Sequence, residues 1–460
     1  MASAKKSIKV CLVGGGSQPW SPTILRDIIF KPGMEQMRMD LVLLDLSAER
    51  AQAMEALFKA RLREWKVSRA VVRAVSDPRR AIEGADFVVF TISTGRLEAM
   101  THDLAIPQKY GIYHTVGDTA GPGGWARALR NIPVFLDYAA LIRRYAPNAY
   151  ALNYTNPMGA LTKVLADALG PNRVVGLCHG LFENYEILKA IFGVKSEEDI
   201  RVRVGGLNHF FWMLDFQVKG KAGYPLLRRK LHGRRLNEII RESRPDAMGW
   251  NSNKWFASEL FESTGYLPYL ADRHTCEFFA VTMTSQAQLK RLDIHRTTIA
   301  ERERMYRDAA KRIRLWQRGR TADIGPFTSK PSRETAADII KAVSLNESFC
   351  DVVNMVNVGQ IENLPRGAAV ETLGSVSGNG FTPFTVGPMP EVLLPMLVPY
   401  AQIQVRTVEA GISGDLEAAL QALAADPVCA ALPFATVRKM GLELLRANRR
   451  YLPQFSLPAR

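Results

Sequence analysis

The chain has 460 residues, more than one ordinary hydrophobic core covers, and 47% hydrophobic with 23% charged residues excludes a disordered or fibrous protein and implies two packed domains. No run approaches the roughly 18 apolar residues of a membrane helix, and the basic start Met1–Ser7 leads into a short strand instead of a signal-peptide apolar region, so no membrane contact and a cytoplasmic protein are expected. The formal charge of +15 is dispersed and lacks interleaved aromatics, which argues against nucleic acid and for an anionic small substrate, while five scattered cysteines without CxxC spacing argue against a disulfide frame.

From residue 8 to 177, short β-branched or Leu-rich runs alternate with helical patterns, the signature of a doubly wound parallel α/β sheet of the Rossmann type. Strands are predicted at 8–13, 39–44, 70–75, 87–92, 149–153 and 174–177, with helices such as 48–65 and 132–145. The first strand runs into Gly14-Gly15-Gly16-Ser17, where glycines let backbone approach a pyrophosphate ahead of a helix N-terminus. Pro19 stands where the usual fingerprint has its third glycine. Asp45 ends the second strand, placed either to accept hydrogen bonds from an adenosine ribose or to cap the next helix with Ser47. The fourth strand ends in Thr91-Ile-Ser93-Thr94-Gly95, small and polar at the ligand edge of such a sheet. Gly14, Gly16, Ser17, Asp45, Ser93, Thr94 and Asn153 are therefore the expected cofactor residues, and the cofactor is NAD.

The fifth strand leads into Asn153-Tyr-Thr-Asn156-Pro157, which can hold a nicotinamide or a sugar hydroxyl, or form an ordinary Asx turn. Cys178 follows the sixth strand. After it the alternation stops, and residues 178–460 read as an α+β domain for substrate and metal: a strand pair at 201–216, charge-rich helices through Arg320, a helix at 334–345, a strand at 351–356, an extended Gly- and Pro-rich region at 359–390, and helices from 394 to 451. Cys178 and His209 together can hold a divalent metal, though each alone is more often structural.

The ordered set Gly14–Ser17, Gly117-Asp-Thr-Ala-Gly-Pro-Gly-Gly124, Asn153–Pro157, Cys178-His-Gly180, Gly206-Leu-Asn-His209 and Asn357-Val-Gly-Gln-Ile-Glu-Asn-Leu-Pro365 resembles glycoside hydrolase family four over nearly the whole chain. That resemblance implies a lactate/malate dehydrogenase-like fold with NAD and Mn²⁺ or a similar ion. It implies that Cys178 and His209 bind the metal, and that Asn156 and His179 touch the sugar. It also implies net hydrolysis by oxidation at the sugar C3, elimination, water addition and reduction, an exception to the usual two-carboxylate scheme. Asp118 is the expected acid for the leaving group. Tyr269 and Asp272 are both candidate bases for the C2 proton, with Asp272 placed first.

The Cys-His-Gly segment resembles the branch with α-glucosidases and α-glucuronidases. Arg273 and His274 beside the expected base suit a carboxylate, so the expected substrate is an α-uronide, with glucuronide ahead of galacturonide and neutral α-glucosides or α-galactosides behind. A homodimer or homotetramer is expected from the resemblance. The rival is a 2-hydroxy-acid dehydrogenase, which shares the dinucleotide fold but needs no Cys–His metal pair.

Overall fold

The structure, a computed structural model, describes residues 6–248, 253–318 and 331–457. The end of the charge-rich stretch at Arg320 lies outside these residues. The six predicted strands of the N-terminal half form, with ends shifted by two residues at most: β1 (Ser7–Val13), β2 (Arg38–Leu44), β3 (Ala70–Ala74), β4 (Phe87–Phe90), β5 (Tyr150–Asn153) and β6 (Val174–Gly176). They pair in parallel in the order β3-β2-β1-β4-β5-β6.

Both faces of this sheet are covered, which explains the near-continuous apolar runs. Cys11 and Val13 of β1 pack with Phe90 into one core cluster, while Val10 and Leu12 pack with Leu41 and Leu43 into the other. The side-chain period of two assigns alternate residues to opposite layers.

The second half adds antiparallel strands to the same sheet. They are β7 (Ile200–Leu207), β8 (Phe210–Val218), β9 (Lys221–Ala222), β10 (Leu267–Pro268), β11 (Phe349–Val356), β12 (Ala369–Ser377) and β13 (Gly380–Pro383). The order continues from β6 through β11, β12, β7 and β8 to β10. A single antiparallel pair, Asn354 with Gly176, joins the two halves. The region 359–390, expected to be merely extended, thus contains two strands.

The helix Gly121–Tyr145 begins well before the predicted 132. Its Gly-Pro-Gly-Gly start reads as a breaker, yet Pro suits a first helical turn. The glycines are there for space: a Cβ at Gly124 would lie 2.5 Å from the Thr119 backbone carbon. Among the described residues no helix is long and apolar enough to cross a membrane.

Candidate active site

The C-terminal ends of the parallel strands carry the glycine turn. Gly14 has φ +95°, and a Cβ there would meet the Thr91 carbonyl oxygen at 2.7 Å. The helix that follows, Ser21–Ile29, has no side-chain N-cap and no acidic residue in its first turn, so its positive end is open to an anion. Asp45 accepts from Gly16 N–H at 2.9 Å and from Ser47 N–H at 2.9 Å, while Ser47 itself caps the helix Ala48–Glu64. Asp45 thus ties the glycine turn to the start of that helix. Ser17 and Ser93 line a cavity of about 250 Å³ that continues to Asp118, Arg127, Asn156 and Arg302. Thr94 instead donates its hydroxyl to Asn131 Oδ1 at 2.7 Å.

Asn153 is a correction to the cofactor set. It is fully buried, its Oδ1 accepts from Thr155 N–H at 2.8 Å, and its amide donates to the Thr155 carbonyl and the Thr162 hydroxyl. It builds the Asx turn, and that turn presents Asn156.

Asp118 sits on a loop that Glu277 shapes. Thr115, Val116 and Gly117 donate their backbone N–H groups to Glu277 Oε1 at 2.8–2.9 Å. His114 Nε2 accepts from Gly123 N–H at 3.0 Å, so its Nδ1 carries the proton directed at Glu277, 3.1 Å away. Burial pushes the Asp118 carboxyl up, but the guanidinium of Arg127 first, with Arg302 and, where protonated, His274 and His209, outweighs it and holds Asp118 well below the usual carboxylate range. An ionised Asp118 is an acceptor for a sugar hydroxyl. It holds no proton for a leaving oxygen, which counts against the expected acid role.

Next to Asp118 two imidazoles converge. The ring centroids of His209 and His274 are 4.1 Å apart, and ligand atoms of Asp118, His209 and His274 lie within 4.8 Å of one another. Burial, then the neighbouring imidazole, holds His209 well below its ordinary value; burial takes His274 down to about 4. Thr119 Oγ1 donates its proton to Asp118 Oδ1 at 2.9 Å and so accepts from His209 Nδ1 at 3.0 Å. The Nε2 lone pair of His209 is therefore the available one.

The Cys178 thiol stands outside that trio. Burial first and Glu371 second hold it well above its ordinary value, opposed by the Gly180 N–H and the Asn208 side chain. Glu371 is itself fully buried, accepts from Asn208 at 3.0 Å and Asn354 at 2.9 Å, and is pushed up to about 7 by burial. Its Oε1 has no hydrogen-bond partner. Neutral imidazoles, an ionised carboxylate and a thiol near an under-compensated buried carboxyl are the donor set and the charge deficit that a divalent cation satisfies.

The two candidate bases separate. Tyr269 lies at the site, its ring stacked 5.8 Å from His209, with burial and then the neighbouring Cys178 raising its phenol well above the ordinary value. Asp272 is fully buried, and its carboxylate accepts from Phe256 N–H at 3.1 Å and Ala257 N–H at 3.0 Å, anchoring the start of the helix Trp255–Thr264. The preference for Asp272 is corrected on this ground. The Arg273 part of the expected carboxylate clamp is also corrected, because its guanidinium donates to the His295 carbonyl at 3.2 Å and to the Thr297 hydroxyl. His179 pairs through Nδ1 with Glu334 at 3.4 Å, and Asn156 Nδ2 reaches Asp118 Oδ2 at 3.4 Å.

Sequence reasoning missed Arg127, Arg302, Glu334 and Glu371 as site residues. Each is remote from the quoted motifs or an unremarkable charge within a helix or strand. Glu277, three residues past the predicted clamp, was missed as well.

The profile of the family 4 glycosyl hydrolases matches residues 9–194, and that of their C-terminal domain matches residues 204–429. An alpha-galacturonidase of Bacillus subtilis is 31% identical over 436 residues, covering 93% of this chain and 94% of that protein. The solved structure of LplD from Bacillus subtilis superposes with a TM-score of 0.84 at 30% identity, over 95% of this chain and 100% of the other. A 6-phospho-alpha-glucosidase from gut microorganisms, solved with NAD and Mn²⁺, gives a TM-score of 0.78 at 22% identity, over 98% and 100%. Malate dehydrogenase of Plasmodium falciparum shares the fold alone, with a TM-score of 0.51 at 14% identity over 88% and 99%. The dehydrogenase-like architecture is therefore present, and on the family profiles and the 31% relative the chain is a glycosidase and belongs to glycosyl hydrolase family 4.

Proposed function

We propose that the protein is an NAD- and divalent-metal-dependent α-uronidase, acting on α-galacturonides ahead of α-glucuronides. The observation that carries this reading is the alpha-galacturonidase of Bacillus subtilis, 31% identical over 93% of this chain and 94% of that protein. It reverses the order of the two uronides expected from sequence.

The site supports an anionic ligand. Arg127 and Arg302 line the cavity beside Asp118 and Asn156, and Arg127 Nη1 and Arg302 Nε are buried without hydrogen-bond partners. Such guanidinium atoms favour a bound carboxylate or phosphate.

The cofactor supplies a reversible hydride acceptor and the metal a Lewis acid when bound, with Cys178 and His209 the residues that would hold the metal. Asp118 and Asn156 orient sugar hydroxyls, and Thr119 fixes the His209 tautomer. Tyr269 is the proposed base for the C2 proton; burial and the neighbouring Cys178 hold its phenol protonated in the metal-free site, so it would fill that role only once a bound cation lowers it. His179, held by Glu334, offers its remaining ring nitrogen to substrate.

The test is a panel of p-nitrophenyl α-galacturonide, α-glucuronide, α-galactoside and α-glucoside, each with NAD⁺, Mn²⁺ and a thiol. Galacturonide should give the highest kcat/KM, and chelation or removal of NAD⁺ should abolish it. Faster cleavage of either neutral glycoside overturns the uronide reading. Full activity without NAD⁺ and metal overturns the mechanism.

A further inference from the structure

We propose that His274 is a further protein ligand of the divalent ion, donating the lone pair of Nδ1 beside Nε2 of His209. The proposal rests on the metal-dependent reading above and adds a second nitrogen to the Cys178–His209 pair.

Three observations carry it. The tilted rings of His209 and His274 have centroids 4.1 Å apart, an approach that a shared ion explains and that two imidazoles gain little from otherwise. Their ligand atoms fall, with an Asp118 oxygen, within 4.8 Å of one another. Ligands at metal bonds of about 2.0–2.2 Å are at most about 4.4 Å apart, so the side chains need move only a few tenths of an ångström. Finally, His274 Nδ1 is buried and has no hydrogen-bond partner, a state that native interiors rarely leave unsatisfied.

Asp118 is the poorer candidate for the third position. Its Oδ1 already accepts from Thr119 and its Oδ2 from Asn156. His274 reaches the site because the short helix Asp272–Thr275 is pinned through its first two residues. Asp272 is bonded to the helix Trp255–Thr264, and the Arg273 guanidinium to His295 and Thr297. Asp272 and Arg273 are thus what aims this imidazole.

Mn²⁺ binding reads the ligand directly. Pulsed electron paramagnetic resonance of the Mn²⁺-loaded protein, without substrate, should show modulation from two coordinated imidazole nitrogens. His274→Gln should reduce this to one and weaken Mn²⁺ binding by at least about tenfold, the ordinary lower bound even for losing an outer-shell partner of a ligand. A His179→Gln control should keep two nitrogens. A single coupled nitrogen in the wild type overturns the proposal, and needs no variant that folds. Mn²⁺ affinity within twofold of wild type in His274→Gln, with a raised KM, also overturns it and makes His274 a sugar contact. Loss of a coupling in His179→Gln alone assigns the second nitrogen to His179. None of these readouts depends on which glycoside is cleaved, so failure here and failure of the α-uronidase reading are distinguishable.

Discussion

Tyr269 and Asp272 stand three positions apart in the chain and in different physical situations. The Asp272 carboxylate receives two backbone N–H groups of a helix whose own N-cap, Lys254, supplies no side-chain cap hydrogen bond. Its work is to satisfy orphan donors at a helix start, which is worth about 1–2 kcal/mol. Tyr269 makes ring contacts with His209 and His274. Tyr269→Phe should therefore lower kcat by about 10²-fold or more with an unchanged melting temperature, in the range expected for loss of an acid–base group. Asp272→Asn should lower the melting temperature and leave kcat of the folded fraction within a few-fold. Steady-state kinetics beside thermal melts check this, and a larger kcat loss in Asp272→Asn would restore it as the base. Sequence could not separate the two, because what decides is which backbone the carboxylate meets at positions 256 and 257, a tertiary fact with no local pattern.

At the level of elements, the loop 114–120 is a good example of a segment with no order of its own. It contains Gly117 at positive φ and runs into Gly121, also at positive φ, and Glu277 collects three of its N–H groups together with the His114 ring. Glu277→Gln keeps an acceptor and loses the charge, so a loss of about 1–2 kcal/mol is expected; Glu277→Ala orphans every donor and should cost about 3 kcal/mol or more. Urea unfolding should rank wild type, Gln and Ala in that order, with kcat falling in step as Asp118 loses its seat. Equal stability of the Ala variant and wild type would mean that the loop is held by something else. The elements that were legible were those whose sequence period matches their burial, such as β1 with Val10 and Leu12 on one face and Cys11 and Val13 on the other. The start of the helix Gly121–Tyr145 and the strands β12 and β13 were not. Glycine there serves close packing or a hairpin, while in sequence it reads as a break.

On the scale of the whole molecule, one sheet runs through both halves, and the parallel strands deliver the glycine turn Gly14–Ser17 while β7, β8 and β12 deliver His209 and Glu371. Five of the six motifs lie at or just beyond a strand end on this shared frame, namely Gly14 after β1, Asn153 at the end of β5, Cys178 after β6, His209 between β7 and β8 and Asn357 after β11, while Gly117–Gly124 leads into the helix Gly121–Tyr145. Asn354 and Glu371, which support them from below, sit inside β11 and β12 and carried no such positional mark, whereas their partner Asn208 lies within the Gly206–His209 motif.

That buried polar frame makes the metal-free protein sensitive to pH. His274 is held at about 4 and His209 well below its ordinary value, both mainly by burial. An unfolded histidine titrates near about 6.5, so below that pH the unfolded chain takes up protons that the native one refuses. The stability these residues contribute is complete above about 6.5 and is lost as pH falls toward 4. Glu371, raised to about 7, works the other way: between its unfolded value near about 4.3 and 7 the native state holds a proton the unfolded state has released, so acidification there adds stability. Asp118 has its carboxyl depressed, and its contribution is lost only below the ordinary aspartate value of about 3.9, outside this window. Asp426, raised to about 6, and the raised carboxyls of Asp103 and Asp351 act in the same direction as Glu371, so the His274 contribution is read as a difference between two proteins. In the metal-free protein the His274→Gln variant should lose less stability, or gain more, than wild type between pH 6.5 and 4.5, by on the order of 2 kcal/mol. Urea midpoints at pH 6.5, 5.5 and 4.5 check it. A His274→Gln curve parallel to wild type would mean that His274 is protonated as readily in the native site as in the unfolded chain, and that its burial does not hold it neutral.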